Sequence, residues 1–123
     1  MQRILIIDDD DQIRLILRQV LERAGYKVEE ASDGKEGISL HRQKTADLII
    51  TDMIMPKKEG METIMELRTE FPDVKIIAMS GGGRIGPENY LQMAEAFGAV
   101  HLFKKPFNLE EMLGAVRKLL GGQ

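Results

Sequence analysis

The chain has no cysteine, which excludes a disulfide framework, a thiolate metal site and a thiol nucleophile. It also lacks a Lys/Arg-rich stripe. Its formal net charge is −3 and its pI about 5.4, which argues against nucleic acid as a partner of this domain. No apolar run approaches the ~20 residues a membrane-spanning helix needs. Met1 leads within two residues into Ile4-Leu5-Ile6-Ile7, without the charged start and long apolar stretch of a secretion signal. These absences describe a soluble, cytoplasmic chain. With no linker, repeat or low-complexity segment, residues 1–123 are read as a single domain.

What is present is a strict alternation of strand and helix signals. Ile4–Ile7 and Leu48–Ile50 are continuous apolar runs, as expected of parallel strands covered on both faces, and the strand of the second run extends to Thr51. Tyr26–Glu30 is a more polar strand suited to a sheet edge, Val74–Met79 a fourth strand and Ala99–Phe103 a fifth. Between them, helical spacing puts Ile13, Ile16, Leu17, Val20, Leu21 and Ala24 on one face of a first helix, which Gly25 ends. Asp33 with Glu36 opens a second helix through about Gln43, and Asn108 with Glu111 opens the last. A third carries Met61, Ile64, Met65 and Leu67 inward, and another, after Pro87, carries Tyr90, Met93, Ala94 and Phe97. Repeated β–α units imply an α/β fold with a five-stranded parallel sheet and helices on both faces.

In such a sheet the strand ends share one edge, where ligands bind. The first strand delivers Asp8 and Asp9 to it, the third Asp52, the fourth Ser80, and the fifth Lys105 before Pro106. Each has a plain reading alone. Asp8–Asp11 fits a helix cap with first-turn acids, Asp10 or Asp11 being the cap. Asp52 fits a solvated loop carboxylate, Ser80 a turn hydroxyl and Lys105 a surface charge. Their joint placement is the specific signal. With the flavodoxin-like order 2-1-3-4-5, an order assumed from that doubly wound fold type, three carboxylates converge between the first and third strands. Mg²⁺, a hard cation that takes oxygen ligands, would relieve their repulsion. A carboxylate beside Mg²⁺, an ammonium and a hydroxyl is equipped to receive a phosphoryl group.

Over nearly its full length the chain resembles the receiver domain of bacterial two-component response regulators. The resemblance rests on Ile-Leu-Ile-Ile-Asp8-Asp9, Asp52-Met-Ile-Met-Pro56 with Gly60 beyond it, Ile-Ile-Ala-Met-Ser80-Gly81 and Lys105-Pro106-Phe107. It implies a phosphorylation switch, not an enzyme acting on a separate substrate. Asp52 would accept phosphoryl from the phosphohistidine of a sensor histidine kinase or a histidine phosphotransfer protein. Asp9, Asp52 and the Ile54 backbone carbonyl would ligate Mg²⁺, with Asp8 acting mainly through water. Ser80 would be the switch hydroxyl, Lys105 its salt-bridge partner, and the Lys105–Pro106 bond cis. The responsive surface would span roughly Pro87 to Leu120. It would regulate a downstream protein or an output domain, with homodimerisation on phosphorylation as one option. A chain ending right after its last helix reads as a stand-alone regulator or as a receiver excised from a longer protein.

Three positions depart from the family pattern. Leu102 stands where an aromatic switch residue is usual, with Phe103 and His101 as neighbours that could compensate. The glycine-rich loop Gly81–Gly86 lengthens the Ser80-to-Lys105 stretch, and Ile54 is apolar where many members are polar. That loop also fits a dinucleotide fingerprint, but it follows the fourth strand and no acid lies ~20 residues on to hold a ribose. His41 is expected at the surface of its helix. His101 has no partner ligand, and the methionines are read as core filling. A haloacid-dehalogenase-type phosphatase is the enzymatic alternative, with Asp8 as nucleophile and Asp10 as acid, on a chain short for that fold. A receiver-like adaptor that no longer takes phosphate is the other.

Overall fold

The computed structural model describes residues 2–53, 59–80 and 101–121. In chain order the elements are β1 (Arg3–Ile7), α1 (Asp11–Arg23), β2 (Lys27–Ala31), α2 (Gly34–Gln43), β3 (Leu48–Asp52), α3 (Glu59–Glu70), β4 (Lys75–Ser80), β5 (His101–Lys104) and α4 (Leu109–Leu120). The helix expected after Pro87 lies outside the described residues. All strand pairs are parallel, and the sheet order is β2-β1-β3-β4-β5. This is the doubly wound, flavodoxin-like arrangement expected from the alternation.

Alternation along each strand divides the apolar side chains between two layers. Ile4 and Ile6 of β1, Leu48 and Ile50 of β3, and Ile77 and Met79 of β4 pack with Leu17 and Leu21 of α1 and Met112 and Val116 of α4. Leu5 and Ile7, Ile49, and Ile76 and Ala78 face the other way, onto Ile38 of α2 and Ile64 and Leu67 of α3. Both faces are covered, which is why the central strands read as unbroken apolar runs. Each fully buried Ile or Leu contributes about 1.5–3 kcal/mol of transfer free energy, so these layers hold the sheet.

The helix ends follow the capping chemistry. Asp10 caps α1, its Oδ1 accepting from the backbone N–H of Gln12 at 2.9 Å and Ile13 at 3.3 Å. Asn108 Oδ1 accepts from Glu111 N–H at 3.0 Å. Asp33 accepts from Glu36 N–H at 2.8 Å, but the return bond from Glu36 goes to Ser32 N–H, one residue before the usual capping-box partner. Gly25 has φ +101° at the turn into β2, a backbone state that side chains disfavour.

Four expectations need correction. Ile16 and Met65 are exposed, at 45% and 53%. Ile16 lies at the edge of the α1 stripe, and the buried face of α3 runs through Thr63, Ile64 and Leu67 instead. Tyr26 precedes β2 but is buried. His41 is 2% exposed rather than superficial. Its Nδ1 accepts the Ala46 N–H at 3.0 Å, and its ring meets Phe71 edge-on at 4.4 Å. The turn into β3 folds back over the ring, a contact between segments that helical periodicity does not reveal.

Candidate functional site

Strand register brings the acids together. Ile7 of β1 pairs with Thr51 of β3, so Asp8, just past β1, and Asp52, the last residue of β3, stand side by side at the sheet edge. Both continue the alternation of Ile4, Ile6 and Leu48, Ile50, toward the α1–α4 layer. Carboxylate oxygens of Asp8, Asp9 and Asp52 lie within 4.8 Å of one another. Asp8 is 0% and Asp52 4% exposed, whereas Asp9 is exposed.

β5 supplies the counter-charge. Ser80 pairs with Lys104, and the Lys105 N–H donates to the Ser80 carbonyl at 2.8 Å, seating Lys105 beside the β4 end. Lys105 Nζ then donates to Asp8 Oδ2 at 2.8 Å and Asp52 Oδ2 at 3.0 Å. Burial lowers the pKa of the ammonium, but the hydrogen bonds and charges of Asp8 and Asp52 outweigh it and leave it raised above 10.5. Lys105 therefore stays charged. The Lys105–Pro106 peptide is cis. Ser80 is 1% exposed, and its Oγ has no hydrogen-bond partner among the described residues. A buried hydroxyl without a partner costs about 1–3 kcal/mol.

Asp8 is gripped on all sides. Its N–H donates to Ala31 O at 3.1 Å, Oδ1 accepts the Asp10 N–H at 2.8 Å, Oδ2 accepts Lys105, and its carbonyl accepts Arg14 Nη1. Asp10 is engaged as the α1 cap, which counts against its use as the general acid of a phosphatase. Arg14 was not among the residues singled out from the sequence. Its only sequence signal is a charged residue flanked by Ile13 and Leu15 near the start of the first helix.

The donor set fits a hard divalent cation. Three carboxylates against one ammonium leave an excess of two negative charges. All three are oxygen donors close enough together to hold one ion, the ligand type that Mg²⁺ takes. The Ile54 carbonyl and the glycine loop at 81–86 lie outside the described residues. Leu102 packs into the α2–α3 layer, whereas Phe103 packs into the α1–α4 layer and its ring stacks with His101 at 6.1 Å. Phe103 and His101 thus share the face opposite Leu102, and neither takes the place of an aromatic at 102.

The family model of the response regulator receiver domain matches residues 4–117. The chain belongs to this family. Receiver domains are phosphorylation-dependent signalling modules of two-component systems; they receive phosphoryl groups from histidine kinases and bind Mg²⁺ at an acidic cluster. Sporulation initiation phosphotransferase F of Bacillus subtilis is 29% identical over 97% of this chain and 94% of its own length. The regulator RpaA of Synechocystis is 39% identical over 98% of this chain, which spans 49% of that protein. Among solved structures, the chemotaxis protein CheY4 of Vibrio cholerae superposes with a TM-score of 0.87 at 31% identity, covering 97% of this chain and 98% of that one. TrrA of Thermotoga maritima, in complex with Mg²⁺ and BeF, superposes at 0.84 with 32% identity, covering 97% and 99%. No described helix of this receiver domain is long and apolar enough to cross a membrane.

Proposed function

We propose that this receiver domain, spanning residues 1–123, is switched by phosphorylation of Asp52, with a sensor histidine kinase or a histidine phosphotransfer protein as donor. The observation that carries this reading is the Lys105 ammonium bridging Asp8 and Asp52 beside the buried Ser80 hydroxyl, which has no partner among the described residues. An Asp52 carboxylate oxygen attacks phosphorus, the P–N bond to the donor imidazole breaks, and the imidazole departs with its proton. Asp8, Asp9 and Asp52 would hold Mg²⁺, with the Ile54 carbonyl as a further ligand. The cation would offset charge on the phosphoryl oxygens. Lys105 contributes a second positive charge, and Ser80 Oγ–H can donate to a phosphoryl oxygen.

The donor must bring its imidazole to Asp52, so it contacts the rim of the site. On the side of α1 and α4, Ile13, Ile16, Pro106, Phe107 and Leu109 line a largely apolar cavity of about 220 Å³ together with Lys105. Phosphorylation adds about −1.5 to −2 charge. It would draw Ser80 and Lys105 toward the new group and bias the surface built on β5 and α4, which an unidentified downstream protein or output domain would read. Intact mass after incubation with acetyl phosphate tests the acceptor. A Mg²⁺-dependent gain of about 80 Da, one phosphoryl group, that is lost in Asp52→Asn supports it. A gain that persists in Asp52→Asn overturns it.

A further inference from the structure

Of the three acids at the site, Asp9 has the least support. Its side chain makes no hydrogen bond among the described residues, in contrast to Asp8 with its four contacts. No described side-chain contact aims its carboxylate, so the backbone, which fixes the Cα–Cβ direction, limits where it can reach, and the Asp8–Asp9 peptide lies just past the last strand pair of β1. The group that takes the carbonyl of that peptide is Arg14.

Arg14 is itself braced. Its side chain is only 13% exposed, Nε donates to Glu30 Oε1 at 3.1 Å, and Nη2 pairs with Asp11. Glu30 offers its second oxygen to Arg18 Nη1 at 2.7 Å, and Arg18 Nε reaches Glu22 at 3.1 Å. A planar guanidinium suits this task, because one rigid group presents donors to three acceptors at once.

We propose that Arg14 is a positioning residue of the cation site: by holding the Asp8–Asp9 peptide against the Glu30 brace on β2, it aims the Asp9 carboxylate at the site shared with Asp52. The proposal rests on the reading of Asp8, Asp9 and Asp52 as that site. Positioning and simple electrostatics predict opposite signs. Arg14 is a nearby positive charge, so removing its charge alone would tighten binding of a cation. Losing its grip on the peptide weakens binding, as loss of outer-shell support does.

The test is calorimetric titration of the 123-residue chain with MgCl₂, with thermal unfolding recorded on each variant to show that it is folded. Arg14→Lys keeps the charge but replaces the fork with a point donor; its Mg²⁺ Kd is expected to rise roughly 5- to 10-fold, near the low end for outer-shell changes. Arg18→Met removes a charge from the same network without touching Asp8, and its Kd should stay within 2-fold of wild type or tighten. Glu30→Gln leaves Arg14 intact but loosens its brace, and a smaller rise is expected; it decides the matter if Arg14→Lys does not fold. A folded Arg14→Lys within 2-fold of wild type overturns the proposal. If wild type takes up no Mg²⁺, or Asp9→Asn binds it as well as wild type, the cation-site reading fails first and the proposal with it.

Discussion

His41 makes the stability of this receiver domain sensitive to mild acid. Its Nδ1 accepts the Ala46 N–H at 3.0 Å, so the ring must be neutral in the folded state. Burial lowers its pKa from 6.5, and the nearby Glu70 opposes this only in part. The unfolded chain thus binds a proton more readily than the folded one. His41 contributes stability that is fully present above pH 6.5 and is lost as the pH falls toward the folded-state pKa. The loss runs at about 1.4 kcal/mol per pH unit over that window, so it reaches at most about 2 kcal/mol at pH 5. In a domain of this size that is a large share of the total. Carboxylates also titrate near pH 5, so the measurement is a difference. Urea unfolding is followed at pH 7 and pH 5 in wild type and in His41→Asn, whose amide oxygen can accept the Ala46 N–H without titrating. His41→Asn should be less stable at pH 7, because it loses the ring contact with Phe71, yet should lose less on acidification. Equal losses on going to pH 5 would refute the argument.

Two glycine substitutions should act in opposite directions. A Cβ at Gly37 of α2 would lie 2.4 Å from Ile7 Cδ1 beneath the site, whereas one at Gly114 of α4 would meet nothing within 4 Å. Gly114→Ala should stabilise by about 0.5–1 kcal/mol through helix propensity, and Gly37→Ala should destabilise by about 1 kcal/mol once overpacking is set against the same gain. Urea midpoints of the same sign would contradict this. Mg²⁺ at 100 times its Kd should stabilise the fold by about 2.7 kcal/mol relative to EDTA, an increment absent in Asp9→Asn. Ser80→Ala removes a hydroxyl without a described partner, so its stability should match or exceed wild type by about 1 kcal/mol, while Mg²⁺-dependent phosphorylation slows. A loss of more than about 1 kcal/mol in Ser80→Ala would show that the hydroxyl is already bonded.

The architecture was legible in the chain because its signals are local. Unbroken apolar runs mark strands covered on both faces, and Asp10, Asp33 and Asn108 cap helices through contacts two or three residues away. The strand-end positions of Asp8, Asp52, Ser80 and Lys105 follow from the same pattern. What tertiary structure decided are contacts whose partners lie far apart in sequence. The sheet order places β3 beside β1, and only that register sets Asp52 against Asp8 and lets Lys105, 97 residues beyond Asp8, join them. The burial of His41 against Phe71 and the bracing of Arg14 by Glu30 of β2 likewise join different elements. Periodicity shows which face of a helix is apolar. Which polar groups are sealed and satisfied depends on the segments folded against them.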